Sequence, residues 1–160
     1  MSSEGDERCY TAAMRILNHR WNGTAELRRK LKRKEFTDDE IETVLERLAK
    51  EKWLDDDRWA GAFVRDKARR KVGPVRIRHE LRAAGAGDDV VARAVAENSD
   101  PEAQREALVA LCQKKMRITA GRKGNDFLRT DEGRKKLAAY LLQQGYETAL
   151  VLEVIYEQTR

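Results

Sequence analysis

Proline is nearly absent, occurring only at Pro74 and Pro101, and runs of alternating β-branched residues are as scarce. Little therefore opposes long helices, and a β-rich fold is disfavoured. Cysteine is equally rare. Cys9 and Cys112 stand far apart with no Cys-x-x-Cys or Cys/His spacing, which argues against a zinc site or a disulfide framework and reads as two reduced core thiols. His19 and His79 are the only imidazoles, and neither adjoins a Ser, Cys or metal-ligand constellation, so a non-enzymatic chain without a cofactor is expected. Gly121 and Gly124 lack the following Gly-Lys-Ser/Thr of a phosphate loop. No apolar run approaches transmembrane length, and the polar, acidic stretch from Met1 to Arg8 is unlike a signal peptide, so a cytoplasmic protein is expected.

What the chain does have is charge. Charged residues make up 38% of its 160 positions against 41% hydrophobic, a balance that suits amphipathic helices with one buried stripe and one solvated face. The net charge of +5 favours a polyanionic partner, either nucleic acid or an acidic protein surface.

The apolar residues repeat. Leu27, Leu31, Phe36, Ile41 and Leu45 recur fifty residues later as Ile77, Leu81, Ala86, Val91 and Val95, and sixty beyond that as Leu137, Leu141, Tyr146, Val151 and Ile155. In each copy the first pair and the last pair are four residues apart and share a helix face, while the five-residue step between them spans a turn. Gly85 and Gly145 occupy that turn in two copies, where glycine can end a helix in the left-handed conformation. Glu35 replaces it in the first, at a cost of about 1 kcal/mol if the geometry is kept.

Helix punctuation agrees with this parsing. Thr37 and Glu40 form a capping box ahead of Ile41, Val44, Leu45 and Leu48, in a helix expected to run to about Glu51. Ser99 and Glu102 repeat the arrangement, with Pro101 in a first turn that tolerates it. A leading helix precedes each pair, carrying Tyr10, Ala13, Met14 and Leu17 in the first copy and Ala60, Phe63 and Val64 in the second. The reading is an all-α chain of three tandem three-helix repeats: a polar tail over 1–8, repeats over 9–53, 54–98 and 99–160, and a glycine-bearing loop over 118–130.

Basic residues concentrate in two places. Arg28, Arg29, Lys30, Lys32, Arg33 and Lys34 face only Glu35 in the first repeat, and the span from Arg65 to Arg82 sets eight basic residues against Asp66 and Glu80. Arg28 aligns with Arg78 and Lys32 with Arg82, whereas the third repeat offers Ala138 and Leu142. Charge runs are often merely solvated faces, and the recurrence is what favours a shared binding surface in the first two repeats. The candidate contact residues are Arg69, Arg70, Lys71, Arg76, Arg78 and Arg82, supported by Arg28, Arg29, Lys32 and Arg33. Lys114, Lys115, Arg117, Arg122 and Lys123 read as complements to a helix dipole, Asp55 and Asp56 as helix caps. Trp21, Trp53 and Trp59 read as packing residues rather than base-stacking ones.

Three segments carry a family resemblance: Glu26-Leu27-Arg28-Arg29-Lys30-Leu31, Trp53-Leu54-Asp55-Asp56-Asp57-Arg58-Trp59-Ala60, and Gly73-Pro74-Val75-Arg76-Ile77-Arg78-His79-Glu80-Leu81. In this order and at repeat spacing they resemble the RecX family of RecA modulators from about Cys9 onward. The departures are Lys52 in place of a frequent glycine, Trp59 in place of phenylalanine, and Glu35 at the turn. The resemblance implies an elongated or curved array of helical repeats. It would bind the RecA filament on single-stranded DNA, with some weak direct DNA affinity, and would restrain filament extension, ATP hydrolysis, strand exchange and the coprotease activity of the SOS response. A monomer is the simplest assembly, and a stand-alone DNA-binding helical module is the alternative.

Overall fold

The apolar periodicity and its caps dictate where the helices begin and end. The computed structural model describes residues 2–160, all helix and connection with no strand among them. Its nine α-helices are α1 Glu4–His19, α2 Thr24–Arg33, α3 Asp38–Lys50, α4 Asp56–Arg69, α5 Pro74–Ala83, α6 Asp88–Asn98, α7 Pro101–Lys123, α8 Asp131–Gln143 and α9 Thr148–Gln158, with a 3-10 turn at Asp126–Arg129. They fall into three triplets in the register of the repeat. Leu27, Ile77 and Leu137 are buried at one equivalent position, as are Leu31, Leu81 and Leu141, then Ile41, Val91 and Val151, then Val44, Ala94 and Val154.

By packing, the chain divides into two compact units, one containing the residues up to Phe63 together with Leu81–Ala94, the other Val64–Glu80 and Val95–Arg160. In the first unit α1, α2 and α3 pack mutually around Cys9, Ala13, Leu27, Leu31, Ile41, Val44, Leu45, Leu48 and Leu54. In the second, α7, α8 and α9 pack mutually around Leu108, Cys112, Leu137, Leu141, Tyr146, Val151, Val154 and Ile155. Each buried leucine, isoleucine or valine contributes roughly 1.5–3 kcal/mol relative to exposure. That supports helices as short as the ten residues of α2, which local propensity alone would leave frayed.

The turn after each second helix keeps one geometry. Glu35 has φ 66°, Gly85 93° and Gly145 96°, so glutamate adopts the left-handed cap rather than rebuilding it. Lys52, the other departure at a family glycine, is also left-handed at φ 65°. These turns are also joints. In the first unit the tip at Gly85 abuts Ala25 Cβ, and Arg29 Nη2 donates to Ala84 O at 3.3 Å. In the second unit Gly73 N donates to Gln144 O at 2.8 Å and Val75 N to Gly145 O at 2.9 Å. The start of a second helix thus receives the turn of the following repeat, and at α5 the N–H groups of Gly73 and Val75 gain carbonyl partners there that no intrahelical carbonyl could supply.

Three expectations need correction. Of the expected tail over 1–8, Met1 lies outside the described residues and 4–8 are helical, because α1 starts at Glu4 behind a reciprocal Ser3/Asp6 capping box, with Glu4, Asp6 and Glu7 favourable at the helix's positive end. The segment 118–130 is not a loop as a whole: α7 continues through Gly121 to Lys123 and stops at Gly124, whose φ is 85°, before the 3-10 turn. The cap of α7 is Asp100, which accepts from Glu102 N at 3.0 Å, rather than Ser99. Thr37 and Glu40 do form the expected box at α3.

Candidate interaction surface

Helical geometry places residues four apart on one face, so α2 presents Arg28 beside Lys32, with Arg29 and Arg33 one residue further round. The structure brings Arg28 and Lys32 to carboxylates rather than leaving them bare. Arg28 donates through Nε to Glu42 Oε1 at 2.7 Å and through Nη2 to Glu42 Oε2 at 3.2 Å, a forked pair that holds the guanidinium in one orientation. The hydrogen bond pushes the Arg28 pKa up and holds Glu42 below the usual carboxylate value. Lys32 Nζ lies 3.1 Å from Asp38, and Arg82 Nε donates to Asp88 at 3.1 Å. Fifty residues separate both the cations and their acids, so the ion pair itself repeats. Asp38 and Asp88 also open α3 and α6, where a carboxylate favours the helix dipole. Arg33 is exposed and has no carboxylate partner among the described residues.

In the second unit the remaining candidates gather at the end of α4 and along α5. Asp66 faces Arg69 at 3.9 Å and Arg70 at 3.3 Å. Glu80 takes Lys67 at 2.7 Å and Arg76 at 3.0 Å, and these hydrogen bonds, Lys67's first, hold its carboxyl below the ordinary value against the opposing effect of burial. Arg78 reaches Glu147 at 3.8 Å. Lys71 is left-handed at φ 61°, and its carbonyl accepts from the Tyr146 hydroxyl at 2.9 Å while its side chain stays exposed. Burial lifts that phenol to about 12. In the third repeat the corresponding pairs are replaced by apolar groups: half-buried Ala138 and exposed Leu142 and Leu152, with Thr148 at the position of Asp38 and Asp88.

Of the tryptophans, only Trp59 packs inside, at 6% exposure, stacking obliquely on Phe63 with ring centroids 6.0 Å apart. Trp21 and Trp53 are 46% and 47% exposed, which corrects their reading as packing residues, and Trp21 lies under the Arg58 guanidinium at 4.7 Å. Asp55 caps α4 through Arg58 N at 3.0 Å. Asp56 instead accepts from Thr24 N at 2.8 Å and Thr24 Oγ1 at 3.1 Å, so it caps α2 across thirty-two residues of sequence. Both cysteines are buried free thiols raised to about 11, Cys9 by burial and then by Glu40 and Asp6, Cys112 by burial.

One feature of the third repeat escaped the reading of residues. A cleft of about 690 Å³ lies between the end of α7 and α8, lined by Ile118, Phe127, Leu128, Leu137 and Tyr140 and rimmed by Lys115, Arg122, Lys123 and Lys136. Its signal in the sequence is the third glycine of the series Gly23, Gly73 and Gly133, which marks a helix start built for close approach. Among the described residues, no group of three or more His, Cys, Asp or Glu is placed to hold a metal ion, and no helix is long and apolar enough to cross a membrane.

Stacked helical triplets, joined turn to helix and presenting a repeated cationic position, define a helical-repeat protein. Family models for the first and second three-helix domains of RecX match residues 9–48 and 55–95. The regulatory protein RecX of Prosthecochloris aestuarii is 34% identical over 160 residues, covering 98% of this chain and 97% of the relative. That of Syntrophotalea carbinolica is 30% identical over 152 residues, covering 93% and 95%. The crystal structure of RecX from Lactobacillus salivarius shares the fold, with a TM-score of 0.83 at 24% identity and 96% of each chain covered. The chain belongs to the RecX family, whose members from Prosthecochloris aestuarii and Syntrophotalea carbinolica are named as regulatory proteins.

Proposed function

We propose that this chain is a negative regulator of the RecA recombinase that binds the RecA filament on single-stranded DNA. There it inhibits filament extension, ATP hydrolysis, strand exchange and coprotease activity. It acts by binding, in the cytoplasm and as a monomer, with weak direct DNA contact accompanying the protein contact. Family membership supports the RecA partner. The single observation that carries the surface assignment is the repeated pair, Lys32 with Asp38 and Arg82 with Asp88, which sets a cation at the same place in successive repeats. Arg28, Arg29, Lys32, Arg33 and Arg82 form the surface contributed by the first unit, and Arg69, Arg70, Lys71, Arg76 and Arg78 that of the second. Exposed ion pairs of this kind hold together by only about 0–1 kcal/mol, so a polyanion can take over the cation with little loss. Many such exchanges acting together suit a repeat protein on a polymer.

The test is inhibition of RecA ATPase on single-stranded DNA by the Arg78→Glu/Arg82→Glu double variant. Weaker inhibition with unchanged helix content by circular dichroism is expected. Full inhibition by the folded variant refutes the surface. Wild-type inhibition at concentrations too low to coat the DNA supports the regulator, whereas inhibition only at DNA-saturating concentrations supports a stand-alone DNA-binding module instead.

A further inference from the structure

We propose that the cleft at the end of α7 and α8 docks an acidic amphipathic helix of a partner protein. Gly23, Gly73 and Gly133 occupy one position of the repeat. In the first unit the Trp59 ring packs on Gly23, so that a methyl group there would sit 2.8 Å from Cζ3. In the second unit Gly73 and Arg76 lie against the turn at Gly145. Gly133, Lys136 and Ala139, the third-repeat counterparts of Gly73, Arg76 and Arg29, line the cleft. The 3-10 turn covers Gly133 through Phe127 O and leaves the cleft open beside it. A face that meets the Trp59 ring in the first repeat and the turn at Gly145 in the second is thus left with about 690 Å³ of open space in the third.

The chemistry of the lining selects the occupant. No carboxylate lines the cleft. Of its four rim cations only Lys136 has an ion pair among the described residues, with Glu132 at 2.7 Å, in contrast to the paired cations of α2 and α5. Lys115, Arg122 and Lys123, without ion pairs among the described residues and set around an apolar floor, complement an apolar stripe flanked by carboxylates, the pattern of an acidic amphipathic helix laid in a groove. A nucleic-acid strand is the poorer fit. Base stacking needs a free aromatic face, but Lys115 sits 4.6 Å from the Tyr140 ring, and Lys123 and Lys136 sit 4.5 and 5.7 Å from that of Phe127. Exposed Ile118, with Leu128 and Leu137 beneath, offers aliphatic contact instead.

The probe is a fluorescein-labelled synthetic helical peptide with leucine and phenylalanine at i, i+3, i+4 and i+7 and glutamate elsewhere, titrated with the full-length chain by fluorescence anisotropy. Saturable binding is expected, weakened at least tenfold in Lys123→Glu/Lys136→Glu and in Ile118→Asp, and at least tenfold weaker for a scrambled peptide of the same composition. Arg28→Glu/Lys32→Glu should bind the peptide as the wild type does, so failure of the filament-binding surface and failure of the cleft are separately visible. Equal binding by the folded cleft variants, equal binding of the scrambled peptide, or displacement of the peptide by oligo-dT from a site those variants destroy would each overturn the proposal.

Discussion

If turn-to-helix joints hold the second unit together, Gly145→Ala must cost far more than a left-handed alanine costs by itself. The φ of 96° imposes roughly 1–2 kcal/mol on any residue with a Cβ. The added methyl would also press on Arg76 Cβ and lie 2.8 Å from Arg76 N and 3.0 Å from Gly73 O. The joint would have to open, an overpacking cost of about 1–3 kcal/mol. Opening loosens the 2.9 Å bond from Val75 N to Gly145 O, worth about 1 kcal/mol. The total is about 3–6 kcal/mol, and for a chain of this length about 2–4 °C of melting temperature accompanies each of them. Gly124→Ala is the comparison variant, because its φ of 85° and ψ of 160° strain any residue with a Cβ while nothing lies within 4 Å of the new methyl. It should lose about 1–3 kcal/mol, from backbone strain alone. Urea unfolding followed by circular dichroism reads both variants. If Gly145→Ala is no less stable than Gly124→Ala, the joint contributes nothing and the stacking argument fails.

Further outcomes follow from single contacts. Asp56→Ala removes the side-chain cap of α2 and should lower stability by about 1–2 kcal/mol in urea with an unchanged slope, since one N–H and one hydroxyl lose their acceptor. Glu80 has a folded pKa below its unfolded one, so its stabilisation is present above about pH 4.3 and is lost as pH falls through the folded value. Glu80→Gln should therefore flatten the acid limb of the stability profile, and an unaltered limb would contradict the Lys67 and Arg76 bonds. With pKa values raised to about 11, Cys9 and Cys112 expose on the order of one thiolate in a thousand at pH 8. A disulfide reagent should label them only as fast as the chain opens, and prompt stoichiometric labelling of the native protein would show that they are not buried.

The repeat was legible because its period is written in residues that have no alternative place. Leucine, isoleucine and valine at fixed offsets can be buried only if the helices align, and the fifty- and sixty-residue spacings survive into the structure at Leu27, Ile77 and Leu137. What failed was arbitration between local signals. Ser99 matched the spacing of a capping box, yet Pro101 stands at the first helical position, which makes Asp100 the cap. Gly121 falls in the expected glycine-bearing loop, but one glycine costs only about 1 kcal/mol in a helix, which the packing of Leu108 and Cys112 lower in α7 outweighs. The exposure of Trp21 and Trp53 was illegible for another reason: each lies in a connection outside the helices, where periodicity says nothing about the direction of a ring.

The cationic surface was legible as a list of positions and not as a state of charge. Arg28, Lys32 and Arg82 each hold an acid brought by the next helix, and the acids at 38 and 88 vanish in the third repeat together with the cation, as Thr148 and Leu142. Cation and acid therefore come and go as a pair, which first satisfies a helix end and only then can serve a ligand. On the proposed surface an incoming phosphate or carboxylate would exchange with Glu42 at Arg28, Asp38 at Lys32 and Asp88 at Arg82 rather than meet a bare cation there. The net gain per contact is then small, and the guanidinium of Arg28, already held in its fork, loses little rotamer freedom in the exchange. Tight engagement in that case needs several contacts at once, which a repeating chain provides only against a partner that is itself extended and periodic.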